Sequence, residues 1–199
     1  HGGVLKFKGI PLLPVPRVSF PLSDKRKSGL LPPTIGIDSV SGFEVSLPYY
    51  WNIAPNRDAT LTPTLMSKRG VNLGAEFRYL ERDFSGDLTL NHMANDRLRE
   101  RDRWSVAWRN QAHLASLLPG LQADWKIHRV SDNDYWRDFS LPNRNNLINE
   151  RLIESYGTLS WGREGHSLLA RAQKWQTLQD VDSPITPPFD RLPQLQWRY

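Results

Sequence analysis

The alternation of apolar and polar residues is the feature that most constrains how this chain can fold. From Leu121 to His128, apolar residues take every odd position and polar or charged residues take every even one. A similar period recurs over residues 71–79 and 104–111. Because successive side chains of a β-strand point to opposite faces, each segment predicts a strand with one apolar and one polar face. Soluble β-sandwiches and transmembrane β-barrels both contain such strands, so the pattern alone leaves both folds open.

Length and hydropathy exclude one class of membrane protein. The chain has 199 residues, which suits one domain or a piece of a larger protein. The mean hydropathy is −0.55, and the sequence contains no run of the roughly 18 to 20 apolar residues that a membrane helix needs. A barrel strand crosses a bilayer with only about 9 to 11 residues, half of them polar. Helical spanning is therefore excluded, whereas a β-barrel is not.

The net charge and the aromatic content of the chain indicate which partners it could bind. The net charge of +5 favours an anionic partner such as nucleic acid, phospholipid or a phosphorylated glycolipid. The basic residues are spread along the chain without a nucleic-acid-binding motif, so we expect no nucleic-acid partner. The eight Trp and six Tyr suit either a membrane interface or a protein core. The chain has no Cys and hence neither a disulfide nor a thiolate metal site.

The order of alternating segments predicts an antiparallel meander of about ten strands. Residues 1–22 are short apolar pieces broken by prolines, which fit the edge of a small β-domain or a connection. A helix over 147–153 has only weak support. Neither end looks natural, so we expect an excerpt of a longer chain. The predicted strands are 34–40, 43–51, 59–67, 70–80, 86–93, 103–116, 120–130, 152–162, 166–176 and 193–199.

The connections between these strands differ in length. If the chain enters from the periplasm, the connections 52–58, 81–85, 118–120 and 163–165 lie on the periplasmic side. The external connections 94–102, 131–149 and 180–193 are mostly longer, although two early ones, at 40–42 and 68–70, are short. Short periplasmic turns and long external loops are typical of outer-membrane barrels.

One long string of unlike residues carries a family resemblance. The run Pro48-Tyr49-Tyr50-Trp51-Asn52-Ile53-Ala54-Pro55-Asn56 follows a block at 24–33 and precedes one at 74–80. With this spacing, residues 22–80 resemble the outer-membrane LPS-assembly (LptD) family where its periplasmic β-jellyroll passes into its barrel. The likeness is weaker over 81–199 but compatible with the same family.

The resemblance implies an all-β architecture, in which an antiparallel meander forms part of a large transmembrane β-barrel. Residues 1–22 would be the end of the periplasmic jellyroll, and 23–199 the N-terminal portion of the barrel. In this family the barrel holds the plug lipoprotein LptE, receives lipopolysaccharide from the periplasmic bridge protein LptA, and releases it through a seam between the first and last strands. The chain would then lie in the outer membrane of a Gram-negative cell, in contact with its lipids and with its N-terminal end periplasmic.

Two prolines and a turn-rich motif are the first site residues that the resemblance implies. Pro33 enters the first predicted barrel strand, Pro48 lies near the end of the second, and proline cannot donate to a β-ladder. Both match family prolines that loosen the seam, which implies a gating role. Alternatively, they only mark strand ends. Residues 52–58 are expected to form a rigid hairpin at the periplasmic rim, since Asn, Asp and Pro favour turns. The motif residues are Tyr49, Tyr50, Trp51, Asn52, Ile53, Ala54, Pro55, Asn56 and Asp58.

Four cations fall on the polar faces, which would line the barrel lumen. They can bind the phosphates of lipopolysaccharide, since guanidinium groups bind phosphate in a forked geometry. Alternatively, they form a solvated wall that is balanced by Glu76, Asp124 and Glu154. The four cations are Arg78, Arg109, Lys126 and Arg171.

No enzyme motif is visible in the sequence. The five histidines are isolated, and none lies in a nucleophile or zinc-binding motif. We therefore expect no catalysis, no metal and no cofactor, because transport would draw its energy from connected machinery. The alternatives are another outer-membrane barrel, either a porin-like channel or an enzyme, and a soluble β-sandwich binding module.

Overall fold

A computed structural model describes residues 26–139 and 151–199 with their side chains, and residues 3–7 and 10–15 as backbone. The two N-terminal pieces are Gly3–Phe7 (β1) and Ile10–Val15 (β2), which pair antiparallel as a separate two-stranded sheet. Their assignment to a jellyroll stays a prediction.

The rest of the described chain is a single antiparallel sheet of 12 strands, β3 to β14. The predicted all-β meander is thus confirmed. A short helix, Tyr135–Asp138 (α1), interrupts it, and no helix in the described residues is long and apolar enough to cross a membrane. The strands are Gly29–Leu30 (β3), Thr34–Asp38 (β4), Gly42–Ser46 (β5), Tyr49–Ala54 (β6), Arg57–Met66 (β7), Gly70–Leu80 (β8), Phe84–Asp96 (β9), Arg101–His113 (β10), Leu121–Val130 (β11), Leu152–Arg163 (β12), His166–Thr177 (β13) and Arg191–Arg198 (β14).

The two strands at the start of the sheet are each broken into two pieces. β3 pairs with β6 and β4 pairs with β5, while both β5 and β6 pair with β7. The predicted first strand, 34–40, is therefore preceded by β3, and the predicted second strand, 43–51, extends to Ala54. The predicted helix over 147–153 is wrong at its end, because β12 begins at Leu152; residues 147–150 lie outside the described residues.

Directly paired residues of neighbouring strands share a face of the sheet, so the register defines an apolar face and a polar face. On the apolar face, Leu73 is 56% exposed and Leu195 is 69% exposed. Strands β3 to β14 all belong to one sheet, and these residues of its apolar face are exposed in the part of the chain that the structure describes. A β-sandwich would bury such residues against its other sheet. The single layer therefore disfavours the soluble sandwich.

The two ends of the sheet differ in their connections. At one end, here called the turn end, the strands are joined by residues 55–56, 81–83, 114–120 and 164–165. The opposite end, here called the loop end, carries 39–41, 67–69, 97–100, 131–151 and 178–190. The two longest connections, 131–151 and 178–190, lie at the loop end, as the sequence predicts. The prediction is wrong for two others, because the turn-end connection 114–120 is longer than the expected tight turn 118–120 and longer than the loop-end connection 97–100.

Candidate functional site

The first hairpin of the sheet is interrupted by prolines. The Leu31 N–H donates to the Pro48 carbonyl oxygen at 2.8 Å, and Thr34 pairs with Ser46. Between these pairs, Pro32 and Pro33 oppose one residue, Leu47. Two residues facing one form a β-bulge, which is where a sheet tolerates proline. Pro33 directly precedes β4, as predicted, but β3 already pairs with β6 before it, so Pro33 lies within the broken first strand and not at its entry.

The predicted position of Pro48, near the end of its strand, is wrong. Pro48 lies between β5 and β6, and β6 continues for six residues beyond it. The register of this strand against β7 is the same on both sides: Ser46 faces Thr64 and Tyr49 faces Leu61. Pro48 therefore removes a ladder hydrogen bond from the middle of a long strand rather than ending it.

The predicted rim hairpin is present but shorter than expected. Only Pro55 and Asn56 form the turn, because Asn52–Ala54 belong to β6 and Arg57–Asp58 belong to β7. The Asn56 side-chain amide and the Arg57 Nε both donate to Glu81 Oε1, at 2.9 and 2.6 Å. These bonds fasten the turn to the next one along the turn end.

The motif residues of β6 alternate between the two faces. Tyr49, Trp51 and Ile53 are exposed on the apolar face. Tyr50 and Asn52 lie on the polar face, where they pair with Thr60 and Asp58 of β7. The motif thus supplies aromatic surface to one face and hydrogen-bonding groups to the other.

Asp58 is the centre of a hydrogen-bonded network at the turn end. Its side chain is 5% exposed and accepts two bonds from Arg78, at 2.8 and 2.9 Å. The Tyr50 hydroxyl donates to it at 3.1 Å, and Arg26 lies 3.4 Å away. Asp58 therefore links the segment before β3 to β6, β7 and β8.

A second contact holds the same N-terminal segment in place. The backbone N–H of Asn52 donates to Ser28 Oγ at 2.9 Å, and its side-chain amide donates to the Arg26 carbonyl oxygen at 3.1 Å. Residues 26–28 are thereby held against β6, close to Asp58.

Three of the four predicted cations lie in one row across the polar face. Arg78 pairs with Asp87, Asp87 with Arg109, and Arg109 with Lys126. Arg171 belongs to the next row towards the turn end, where it faces Thr158. The structure thus places all four on one surface. Of the four, Arg78 and Arg109 help to line an open cavity of about 440 Å³, together with Asp87.

The four cations differ in how fully their charges are compensated. Arg78 is held by the two bonds to Asp58, while Lys126 and Arg171 share Glu154, at 3.8 and 3.3 Å. The Arg109 side chain is 71% exposed, and its nearest carboxylate oxygen is 3.5 Å away on Asp87. Like charges directly opposite each other destabilise a sheet. The pair of Arg109 and Lys126 is therefore the part of the row best suited to an anion.

The loop end contains a buried ion cluster that the sequence analysis missed. We define this ion cluster as Arg69, Asp96, Arg103, Asp132 and Asp138, whose side chains are 0–7% exposed. Arg69 Nη1 lies 2.6 Å from Asp96 Oδ2, and its Nη2 lies 2.9 Å from Asp138 Oδ1. Arg103 donates two bonds to Asp132, each 2.9 Å long, and a third to Asp138. Each buried charge therefore has opposite charges in contact.

The segment 131–139 closes this cluster. The ring of Phe139 lies under both guanidinium groups, with its centroid 4.8 Å from the Arg103 Cζ and 5.3 Å from the Arg69 Cζ. Burial alone would raise the pKa of Asp138, but hydrogen bonds from Arg99, Arg103 and Arg69 outweigh it and lower the pKa to about 2. Asp138 is therefore ionised at neutral pH and joins α1 to three loop-end arginines.

The reason for missing the cluster is that its members look solvated in the sequence. Arg69 lies in a Lys-Arg-Gly turn, and Asp132 and Asp138 lie in a long polar connection. Their burial comes from residues 131–139 folding back over the polar face, which no local period reveals. Two aromatic residues in this polar connection, Tyr135 and Phe139, were the sequence signal that could have revealed the fold-back. In the structure their ring centroids lie 4.7 Å apart.

The chain is similar to known proteins over its whole length. The sequence model of the family "LptD: LPS transport system D" matches residues 101–199. Proteins called LPS-assembly protein LptD match over the entire chain, with 59% identity in Acidovorax sp., 55% in Albidiferax ferrireducens and 44% in Burkholderia ambifaria. The chain belongs to the LptD family. This LptD-family chain spans about a quarter of the length of those relatives, covering 25%, 25% and 24% of them.

Proposed function

We propose that the chain is the first part of a barrel that translocates lipopolysaccharide across the outer membrane. It would receive lipopolysaccharide from the periplasmic bridge and pass it to the outer leaflet through a lateral seam, without catalysing a reaction. The observation that carries this proposal is a single-layer sheet that leaves its apolar face uncovered and begins at a proline-broken edge. The relatives' name, LPS-assembly protein, supports the same function. No feature described above favours a porin-like channel or an enzyme.

The aromatic residues of the apolar face support contact with outer-membrane lipids. Near the turn end, Trp108 Nε1 donates to the Tyr79 hydroxyl at 2.9 Å, and that hydroxyl donates to Asn110 Oδ1 at 2.6 Å. Trp125 packs edge-on against Trp108, with ring centroids 5.2 Å apart. Such side chains favour the boundary between lipid and water. With the apolar face turned towards lipid, the polar face lines the lumen of the barrel.

The N-terminal part of the chain would connect the barrel to the periplasm. In this proposal β1 and β2 are the last piece of the jellyroll, within residues 1–22, and residues 23–199 begin the barrel. The turn end is then periplasmic, and LptA and LptE are the protein partners. The contacts of residues 26–28 with Asn52 and Asp58 support this arrangement, since they hold the entry to the sheet at its turn end.

Pro33 and Pro48 would act as gating residues of the seam. Pro33 sits in the bulge of the first strand, and Pro48 cannot return the hydrogen bond that it receives from Leu31. The first and second strands are therefore joined less tightly at this level than an unbroken ladder would be. A loosened edge is what lateral release of a lipid requires.

Depletion of the full-length parent protein tests the proposed function. We expect lipopolysaccharide to accumulate inside the outer membrane, and the wild-type gene to restore its delivery to the surface. The double variant Pro33→Ala and Pro48→Ala should assemble but restore delivery more slowly, because each alanine supplies an N–H that can tighten the seam. Surface lipopolysaccharide is measured by labelling intact cells. Normal delivery during depletion would reject the function, and full-rate delivery by the double variant would reject gating.

The row of Arg109 and Lys126 would contact phosphate groups of lipopolysaccharide in the lumen, with Arg78 and Arg171 at its margins. We expect the double variant Arg109→Gln and Lys126→Gln in the full-length protein to bind lipopolysaccharide at least about 10-fold more weakly, because even one charged hydrogen bond contributes about 1.5–3 kcal/mol. Binding is measured with native and dephosphorylated lipopolysaccharide.

The control for this variant is Arg163→Gln, because Arg163 is an exposed cation that pairs with the adjacent Glu164 in a turn. It should bind both ligands as the wild type does. An equal loss of affinity for native and dephosphorylated lipopolysaccharide in the double variant would contradict the phosphate contact.

A further inference from the structure

Pro63 of β7 removes a ladder hydrogen bond in the same way as Pro48, one strand further into the sheet. In a hydrogen-bonded antiparallel pair, each residue donates to the other. The Leu47 N–H donates to the Pro63 carbonyl oxygen at 3.1 Å. Pro63 has no N–H to return the bond. The pair of Leu47 and Pro63 is therefore held by one hydrogen bond instead of two.

Leu47 and Pro48 are adjacent, so the two weakened pairs lie at the same level of the sheet. Pro48 faces Leu31 of the first strand, and Leu47 faces Pro63 of the third. The second strand thus lacks one bond to each neighbour at consecutive residues. The line of weakness that begins at the sheet edge continues across two strand interfaces.

Both ends of the first hairpin are fastened, which confines this weakness to the middle. At the loop end, Ser67 Oγ accepts from the Phe43 N–H at 2.9 Å, and Lys68 Nζ donates to the Ser39 carbonyl oxygen at 2.8 Å. At the turn end, the Tyr50 hydroxyl of β6 donates to Asp58 of β7 at 3.1 Å, and Ala54 pairs with Arg57. A strand held at both ends and loosened at its centre can bow without leaving the sheet.

We propose that Pro63 is a positioning residue of the seam, which lets the second strand yield together with the first. The two strands of the hairpin, residues 29–54, would then bow as one unit relative to β7. This inference rests on the proposed function only for the role that the opening would serve. The opening itself is a property of the hydrogen bonding and does not require lipopolysaccharide.

The test is hydrogen exchange of the full-length protein in complex with its plug partner. In Pro63→Ala, the new N–H can donate to the Leu47 carbonyl oxygen, and we expect amides of residues 44–49 to exchange about 2- to 10-fold more slowly. Pro63→Val supplies the same N–H with a side chain that suits a strand, so it should give the same result. Pro119→Ala, in a turn far from this line, should leave these amides unchanged.

Unchanged exchange over residues 44–49 in both Pro63 variants would overturn the inference. If one variant does not assemble, the other carries the test, because they share the restored N–H and differ in side chain. The exchange is recorded without lipopolysaccharide. A negative depletion experiment would therefore reject the proposed function and leave the result on Pro63 intact.

Discussion

Replacement of Arg103 by alanine is expected to destabilise the loop end by about 3–5 kcal/mol, the range observed when one partner of a buried ion pair is removed. Arg103 is fully buried and contacts Asp96, Asp132 and Asp138. Without it, Asp132 loses the two bonds that compensate its charge, and Asp96 and Asp138 each lose one of their cationic partners, in a site that water does not reach. We therefore expect residues 131–139 to detach from the polar face.

Two measurements check this expectation in the full-length protein. Denaturant unfolding gives the loss of stability, and hydrogen exchange shows whether the amides of residues 131–139 become exposed. The matched control is Arg101→Ala, two residues earlier on the same strand. Arg101 is 47% exposed and lies 3.2 Å from Asp134, so its loss should cost under about 1 kcal/mol. An equal loss of stability in Arg103→Ala and Arg101→Ala would contradict the claim that burial of the Arg103 charge causes the larger loss.

Replacement of Asp58 by alanine is expected to release the entry segment from the turn end. The change removes the acceptor of two bonds from Arg78 and one from Tyr50, and the nearest anion to Arg26. The expected cost is about 2 kcal/mol, because charged hydrogen bonds are lost but the half-exposed Arg78 can regain water. Hydrogen exchange of residues 26–30 and 50–52 should increase several-fold.

Glu76→Ala is the matched control for this variant, since Glu76 also approaches Arg78. Its carboxylate lies 3.8 Å from Arg78 Nε and is 48% exposed, so its loss should change stability by less than about 1 kcal/mol. Protection of residues 26–30 that is unchanged in Asp58→Ala would contradict the role of Asp58 as the link to the entry segment.

The site residues divide into those that local sequence could identify and those that it could not. Arg78, Arg109 and Lys126 were placed on one face by their period, and the register then brought them into one row. That Arg78 is already held by Asp58 depends on a contact 20 residues away along the chain. Its availability to a ligand could not be judged from its own strand.

The sequence by itself determined the all-β meander and the faces of its strands, because a period of two is a local property of extended backbone. It also located the prolines. Only the tertiary structure decided that Pro48 interrupts a strand instead of ending it, that Pro63 weakens the next interface, and that the ion cluster is buried. These features depend on which residues face each other across the sheet, and pairing over long sequence separations leaves no period in the chain.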